Sequence, residues 1–251
     1  MHNIGSEVVL HTFLLFCRIG GCLMFMPGFS SSHVPRQARI FIAIAVTLAM
    51  APLLLPSVKA AISSFTPLTG LQLMITEIVK GTLIGLMARI FFLALEFVAT
   101  MAATSVGFAN LPGVPIDEAQ PMSSLATMIT MTATVLFFMM DLHAEVMRAL
   151  IASYKALPIN GELSTQFNLV QLTDVLVRSF VLALQIGSPF ILYAISINVL
   201  FGVANKLIPQ IGIYFVSLPF VVMGGLFIMY FVLGDFLKLF MADFTKWLLT
   251  G

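Results

Sequence analysis

Charge is scarce in this chain. Its 251 residues include only twelve Lys and Arg and eleven Asp and Glu, 9% of the total, against about 25% in ordinary soluble domains. So few charges cannot coat a globule of this size. A bilayer, or a tightly packed assembly, must therefore serve as solvent for much of the surface. The formal net charge of +1 leaves no basic field for nucleic acid. The two cysteines, Cys17 and Cys22, lie on different faces of one apolar helix and are poorly placed to bond to each other. No CxxC or His/Cys cluster suggests a metal. There is no GxSxG, Walker loop or HExxH, so catalysis has no sequence support and no cofactor is implied. The start, MHNIGSE, has no Lys or Arg and no small-residue cleavage site follows it, so residues 8–26 read as a retained segment.

What is abundant is apolar: 60% of residues, with Phe at 23 and Met at 16. Met suits surfaces that must repack, or it simply fills apolar helix faces. Apolar stretches run over about 8–26, 40–55, 71–103, 125–140, 179–204 and 211–233, with no obvious internal repeat. The stretches 40–55 and 125–140 would span only about 24 Å of helix, short of the roughly 30 Å hydrocarbon core. Gly187, Ser188 and Pro189 interrupt one long run, and Pro219, Gly224 and Gly225 the other. Proline kinks a helix and frees a carbonyl, which in lipid requires protein or water as partner. Residues 205–209, ending in Pro209, read as a tight turn, so 179–233 is expected to form a helical hairpin. Residues 235–250 are amphipathic and read as an interfacial or packing helix. Arg36 and Arg39 favour a cytoplasmic position for the loop after the first run.

Charges inside apolar runs are the strongest anomaly. Arg18 lies in the first run, and Glu77, Lys80, Arg89 and Glu96 in the third. Each costs about 2.5–3.5 kcal/mol at mid-bilayer, so buried or inter-subunit polar contacts are expected, or else positions near the interface. Glu77 and Lys80, at i,i+3, are able to pair. Gly81 and Gly85 form a GxxxG that lets helices approach closely. Gly107–Pro121 is the clearest non-helical element, with Pro112, Pro115 and Gly113. Yet Phe108, Leu111, Val114 and Ile116 make it more apolar than a solvated loop, as if tucked into a cavity. Asp141, His143 and Glu145 alternate as D-x-H-x-E. On a helix Asp141 and Glu145 share a face with His143 turned away, which suits a polar helix end better than a metal site.

Several segments in order carry a resemblance: Arg18-Ile19-Gly20 then Met26-Pro27-Gly28-Phe29, Val34-Pro35-Arg36, Glu77-x3-Gly81-x3-Gly85, the Gly107–Pro121 loop, and a helix ending Asp141-Leu142-His143. Ser153-Tyr154, Leu157-Pro158, Gly187-Ser188-Pro189-Phe190 with Gly202, Ile208-Pro209-Gln210-Ile211 and Leu218-Pro219 follow. Together they resemble the FliR/YscT/SpaR family of type III secretion export gates over nearly the whole chain. Relatives tend to carry Asn-Gly-His where this chain has Asp141-Leu142-His143.

The resemblance implies a single all-α, integral membrane-type domain over 1–251. Its kinked helical hairpins would assemble with other subunits into a helical pore. About 1–175 would be FliP-like, and about 176–251 a FliQ-like hairpin with a C-terminal amphipathic helix. It implies FliP-like and FliQ-like partners, an FlhB-like export switch protein, unfolded flagellar substrates and the bacterial inner membrane at the flagellar basal body. Gly107, Phe108, Leu111, Pro112, Gly113, Val114, Pro115 and Ile116 match the family's pore plug. Energy would come from other components. The rival is a secondary transporter whose broken helices form a small-substrate site, for which internal pseudo-symmetry is expected and none is seen.

Overall fold

The computed structural model describes residues 2–31, 34–61, 67–107, 123–159, 165–207 and 213–250. Among the described residues every regular element is an α-helix: α1 (His2–Phe25), α2 (Arg36–Ala61), α3 (Pro67–Ser105), α4 (Ser124–Met139), α5 (Leu142–Ala156), α6 (Thr165–Leu207) and α7 (Ile213–Thr250). A helix satisfies its own backbone hydrogen bonds, so it is the one open-ended element that apolar surroundings allow. Five of these helices are long and apolar enough to cross a membrane, or six if α4 and α5 count as one broken span.

Helix lengths depart from the apolar runs in an instructive way. The run 40–55 looked too short to span, yet α2 has 26 residues. It recruits Arg36 to Arg39 at one end, and at the other it passes through Pro52 and Pro56. The last two runs form single helices: α6 continues through Pro189, and α7 passes Pro219 and absorbs residues 235–250 into one 38-residue helix. For Pro189 the reason is local. Its missing N–H would have met the Gln185 carbonyl, and the Ser188 hydroxyl donates to that carbonyl instead, at 2.9 Å. Pro209 lies outside the described residues.

The chain divides into two compact units, Met1–Phe91 with Asp141–Leu176, and Phe92–Met140 with Val177–Gly251. In the first, Leu14, Leu15, Ile19 and Leu23 of α1 are buried along with Ala43, Leu54 and Val58 of α2. In the second, a knot of phenylalanines makes the core. Phe92 meets Phe137, Phe240 and Phe244 edge-on, with centroids 5.8, 5.4 and 5.8 Å away. Such pairs contribute about 0.5–1.5 kcal/mol each beyond burial. Phe240 and Phe244 belong to the 235–250 stretch, so within this unit that stretch packs through its aromatic face. The α6–α7 pairings fall in reverse order: Arg178 to Asp243, Phe190 to Phe236, and Tyr193 to Val221. These helices therefore form an antiparallel hairpin. Its outer faces carry exposed apolar side chains, among them Phe180, Leu192, Phe220, Phe227 and Tyr230.

Candidate functional site

A buried ion triad sits in the first unit. Arg18 on α1 and Glu77 and Lys80 on α3 are each at most 1% exposed. The Arg18 guanidinium donates from Nε to Glu77 Oε2 at 2.6 Å and from Nη2 to Glu77 Oε1 at 2.7 Å. Lys80 Nζ donates to the same Oε1 at 3.1 Å, one helical turn along. Two cations thus share one carboxylate. The surplus positive charge finds its partners at the end of α5: Arg18 Nη2 donates to the Leu157 carbonyl at 2.9 Å, and Lys80 Nζ to the Pro158 carbonyl at 2.9 Å. The carboxyl end of a helix carries partial negative charge, so the surplus is neutralised without a second acid. Arg18 Nη1 donates to Ser153 Oγ at 3.2 Å. Its guanidinium carbon lies 4.0 Å from the centre of the Tyr154 ring, a cation–π contact that gains strength where water is excluded.

Glycine makes this geometry possible. A Cβ at Gly81 would fall onto the Arg18 carbonyl, and one at Gly85 onto the Cys22 carbonyl. Gly21 approaches α3 in return, its Cβ position 2.9 Å from the Ile78 oxygen. The GxxxG therefore brings α3 against α1 within this same chain, at the level of the triad. Sequence reasoning placed the three charges but missed Ser153, Tyr154, Leu157 and Pro158 as their partners. Those four had appeared only as scattered family-like signals, 135 and more positions from Arg18.

The remaining singled-out residues lie elsewhere. Arg89 is half-buried and donates to Ser30 Oγ at 3.3 Å. Glu96 is half-buried in the second unit, and its backbone carbonyl accepts from Thr100 Oγ1 at 2.8 Å. Gly107 has φ of 77°, the left-handed region that glycine enters without strain. It lines a cavity of about 430 Å³ in the second unit, with Thr104, Ser105, Asn198, Asn205 and Ser217 among the walls. Phe108, Leu111, Pro112, Gly113, Val114, Pro115 and Ile116 lie outside the described residues. Within that unit Gly187 packs on Met101 and Val98, and Gly225 on Val106. These glycines serve close packing where the sequence suggested breaks.

The D-x-H-x-E stretch differs from its expected form. Asp141 precedes α5 with φ of 55° and makes no side-chain cap, so it does not share a helix face with Glu145. Glu145 instead pairs with Arg148. Among the described residues no three His, Cys, Asp or Glu side chains converge as metal ligands would.

The family model described as bacterial export proteins, family 1, matches residues 9–247. The chain is 26% identical over 215 residues to flagellar biosynthetic protein FliR of Caulobacter vibrioides, covering 85% of this chain and 84% of the relative. It is 28% identical over 235 residues to the Aquifex aeolicus protein of the same name, covering 91% and 88%. With the Escherichia coli one it shares 24% over 212 residues, covering 84% and 80%.

Proposed function

The chain belongs to the bacterial export proteins, family 1, and on that premise we propose that it is a structural membrane subunit of the flagellar protein export apparatus. The observation that carries this reading is the family match across nearly the whole chain, among relatives named for flagellar biosynthesis. In the finer form of the proposal, the chain lines and plugs a type III export gate through which unfolded flagellar proteins pass. FliP-like and FliQ-like subunits surround it, and an FlhB-like switch protein accompanies it in the inner membrane. Residues up to about 175 play the FliP-like part, and about 176–251 form the FliQ-like hairpin and tail. The plug is the stretch that includes Gly107, Phe108, Leu111, Pro112, Gly113, Val114, Pro115 and Ile116.

Helix dimensions support an assembly. The apolar spans Leu68–Ser105 and Leu169–Leu207 have 38 and 39 residues, or nearly 60 Å each at about 1.5 Å per residue. That is about twice the roughly 30 Å hydrocarbon thickness. An apolar helix that overshoots the bilayer needs other protein along its excess length. Arg89 and Glu96, half-buried on α3, would meet polar groups of neighbouring subunits. Against a small-molecule transporter, the export reading accounts for apolar helices of this length.

The deciding experiment is co-expression with the FliP-like and FliQ-like proteins of the same bacterium, with a tag on this chain only. A stable complex containing all three is expected, and little intact chain without the others. Purification of this chain as a monodisperse monomer that recruits neither partner would sink the proposal.

A further inference from the structure

Between Glu7 and Glu77 the sequence contains no Asp or Glu, while it holds Arg18, Arg36, Arg39 and Lys59. Arg18 is neutralised by Glu77. Arg39 folds back, donating to the carbonyls of Ser31 and Val34. Arg36 opens α2 and is exposed, with no acid nearby in the chain. Among the described residues, then, the bend between α1 and α2 carries positive charge that no acid pairs with.

An apolar groove of about 440 Å³ runs between the same two helices, with Val8, Thr12 and Phe16 on α1 and Ile44, Thr47 and Leu48 on α2 among its walls. Its two hydroxyls ask nothing of an occupant. Thr12 Oγ1 donates to the Val8 carbonyl at 2.8 Å, and Thr47 Oγ1 to the Ala43 carbonyl at 2.6 Å. A helix with polar side chains would find no hydrogen-bonding partner there, whereas a hydrocarbon tail needs none.

The groove and Arg36, which has no ion-pair partner among the described residues, are joined by geometry. Positions 36, 40, 44 and 47 fall on one face of α2 at 3.6 residues per turn. Ile44 and Leu48 lie about 12 and 18 Å along the helix from Arg36. One leaflet of the hydrocarbon core is about 15 Å deep, so a tail whose headgroup rests at Arg36 would end in the groove. The opposite mouth, at Val8, has exposed Glu7 beside it, which repels a phosphate. We propose that the α1–α2 groove holds one acyl chain of an anionic phospholipid whose phosphate is bound by Arg36. Arg supplies the planar pair of donors that phosphate oxygens accept.

The test uses membrane vesicles from cells making the chain with its natural partners. Photoactivatable phosphatidylglycerol or phosphatidylcholine, reactive at the tail end, is added at equal mole fraction, and cross-links are mapped by mass spectrometry to the peptides bearing Ile44–Leu48. Phosphatidylglycerol is expected to label about fivefold more, the weight of one basic side chain at an anionic site. Arg36→Gln should bring the two lipids to parity, Arg36→Lys should keep a preference, and Lys59→Gln should change nothing. Excess dihexanoyl phosphatidylglycerol, with the same headgroup but short tails, should fail to compete. Equal labelling in the unaltered chain would overturn the proposal, as would a preference that survives Arg36→Gln or full competition by the short-chain lipid. A groove that neither lipid labels is covered by a partner helix, and the proposal falls.

Discussion

Arg18 and Glu77 form a two-pronged ion pair, Nε to Oε2 at 2.6 Å and Nη2 to Oε1 at 2.7 Å, with neither side chain reaching solvent. Fifty-nine positions separate them in sequence, so the pair fastens α1 to α3. Lys80 and the two carbonyls at the end of α5 complete the knot.

Removing the acid should therefore do more harm than removing everything. Glu77→Leu leaves two cations buried without their carboxylate, at a cost of about 3–5 kcal/mol. The triple change Arg18→Met, Glu77→Leu and Lys80→Met replaces the triad with apolar side chains of similar volume and should recover most of that loss. Thermal unfolding of the purified complex, or its yield, reads the difference. A triple variant weaker than the single would reject the charge argument.

Gly81→Ala should separate α1 from α3, because its methyl would overlap the Arg18 backbone carbonyl, which cannot rotate away as a side chain would. A loss of about 1–3 kcal/mol is expected, the usual range for overpacking. Gly202→Ala is the control: nothing lies within 4 Å of a Cβ there, and the better helix former should be neutral or slightly stabilising. Equal melting temperatures for Gly81→Ala and the unaltered chain would refute the close-approach reading.

Phe92→Ala should cost about 3–5 kcal/mol, since that ring is the hub touching Phe137, Phe240 and Phe244. Phe227→Ala, on an exposed face of α7, should leave the fold of the chain intact. Protease resistance of the two variants in membranes distinguishes them.

Arg178 and Asp243 pair at 2.9 Å across the α6–α7 hairpin, but both side chains keep about a quarter to a third of their exposure. A double-mutant cycle with Arg178→Met and Asp243→Asn should return a coupling of no more than about 1 kcal/mol. A coupling of several kcal/mol would mean that the pair is desolvated in the mature assembly.

Under the proposed gate function, deleting 108–116 should leave assembly intact and let small solutes leak into cells that make the gate. Growth inhibition or dye entry, with the complex recovered in normal amount, is the reading. Membranes that stay tight around such an assembled gate would remove the plug from this stretch.

Composition and local pattern alone settle the class of this protein. With 9% charged residues no soluble surface is available, and apolar runs of helical length leave helices as the available element. Charges inside those runs were legible as anomalies, because their insertion cost demands partners, and the i,i+3 spacing of Glu77 and Lys80 was readable from helix geometry. The partners were not. Ser153, Tyr154 and the Leu157 and Pro158 carbonyls reach Arg18 and Lys80 only because α5 returns to α1 and α3, and backbone carbonyls leave no mark in a sequence. Helix continuity at Pro189 is a local matter, since the Ser188 hydroxyl donates to the Gln185 carbonyl three positions back. Which glycines loosen a helix and which admit a neighbour is only partly legible: GxxxG marks Gly81 as a close-approach position, but Gly187, which reads as an interruption, packs on Met101 and Val98 while a Cβ at Gly202 would meet nothing within 4 Å. Periodicity and composition act through neighbours along the chain, so the sequence determines helices and their apolar character. Charge pairing and close packing act between segments far apart in the chain, so only the folded arrangement decides them.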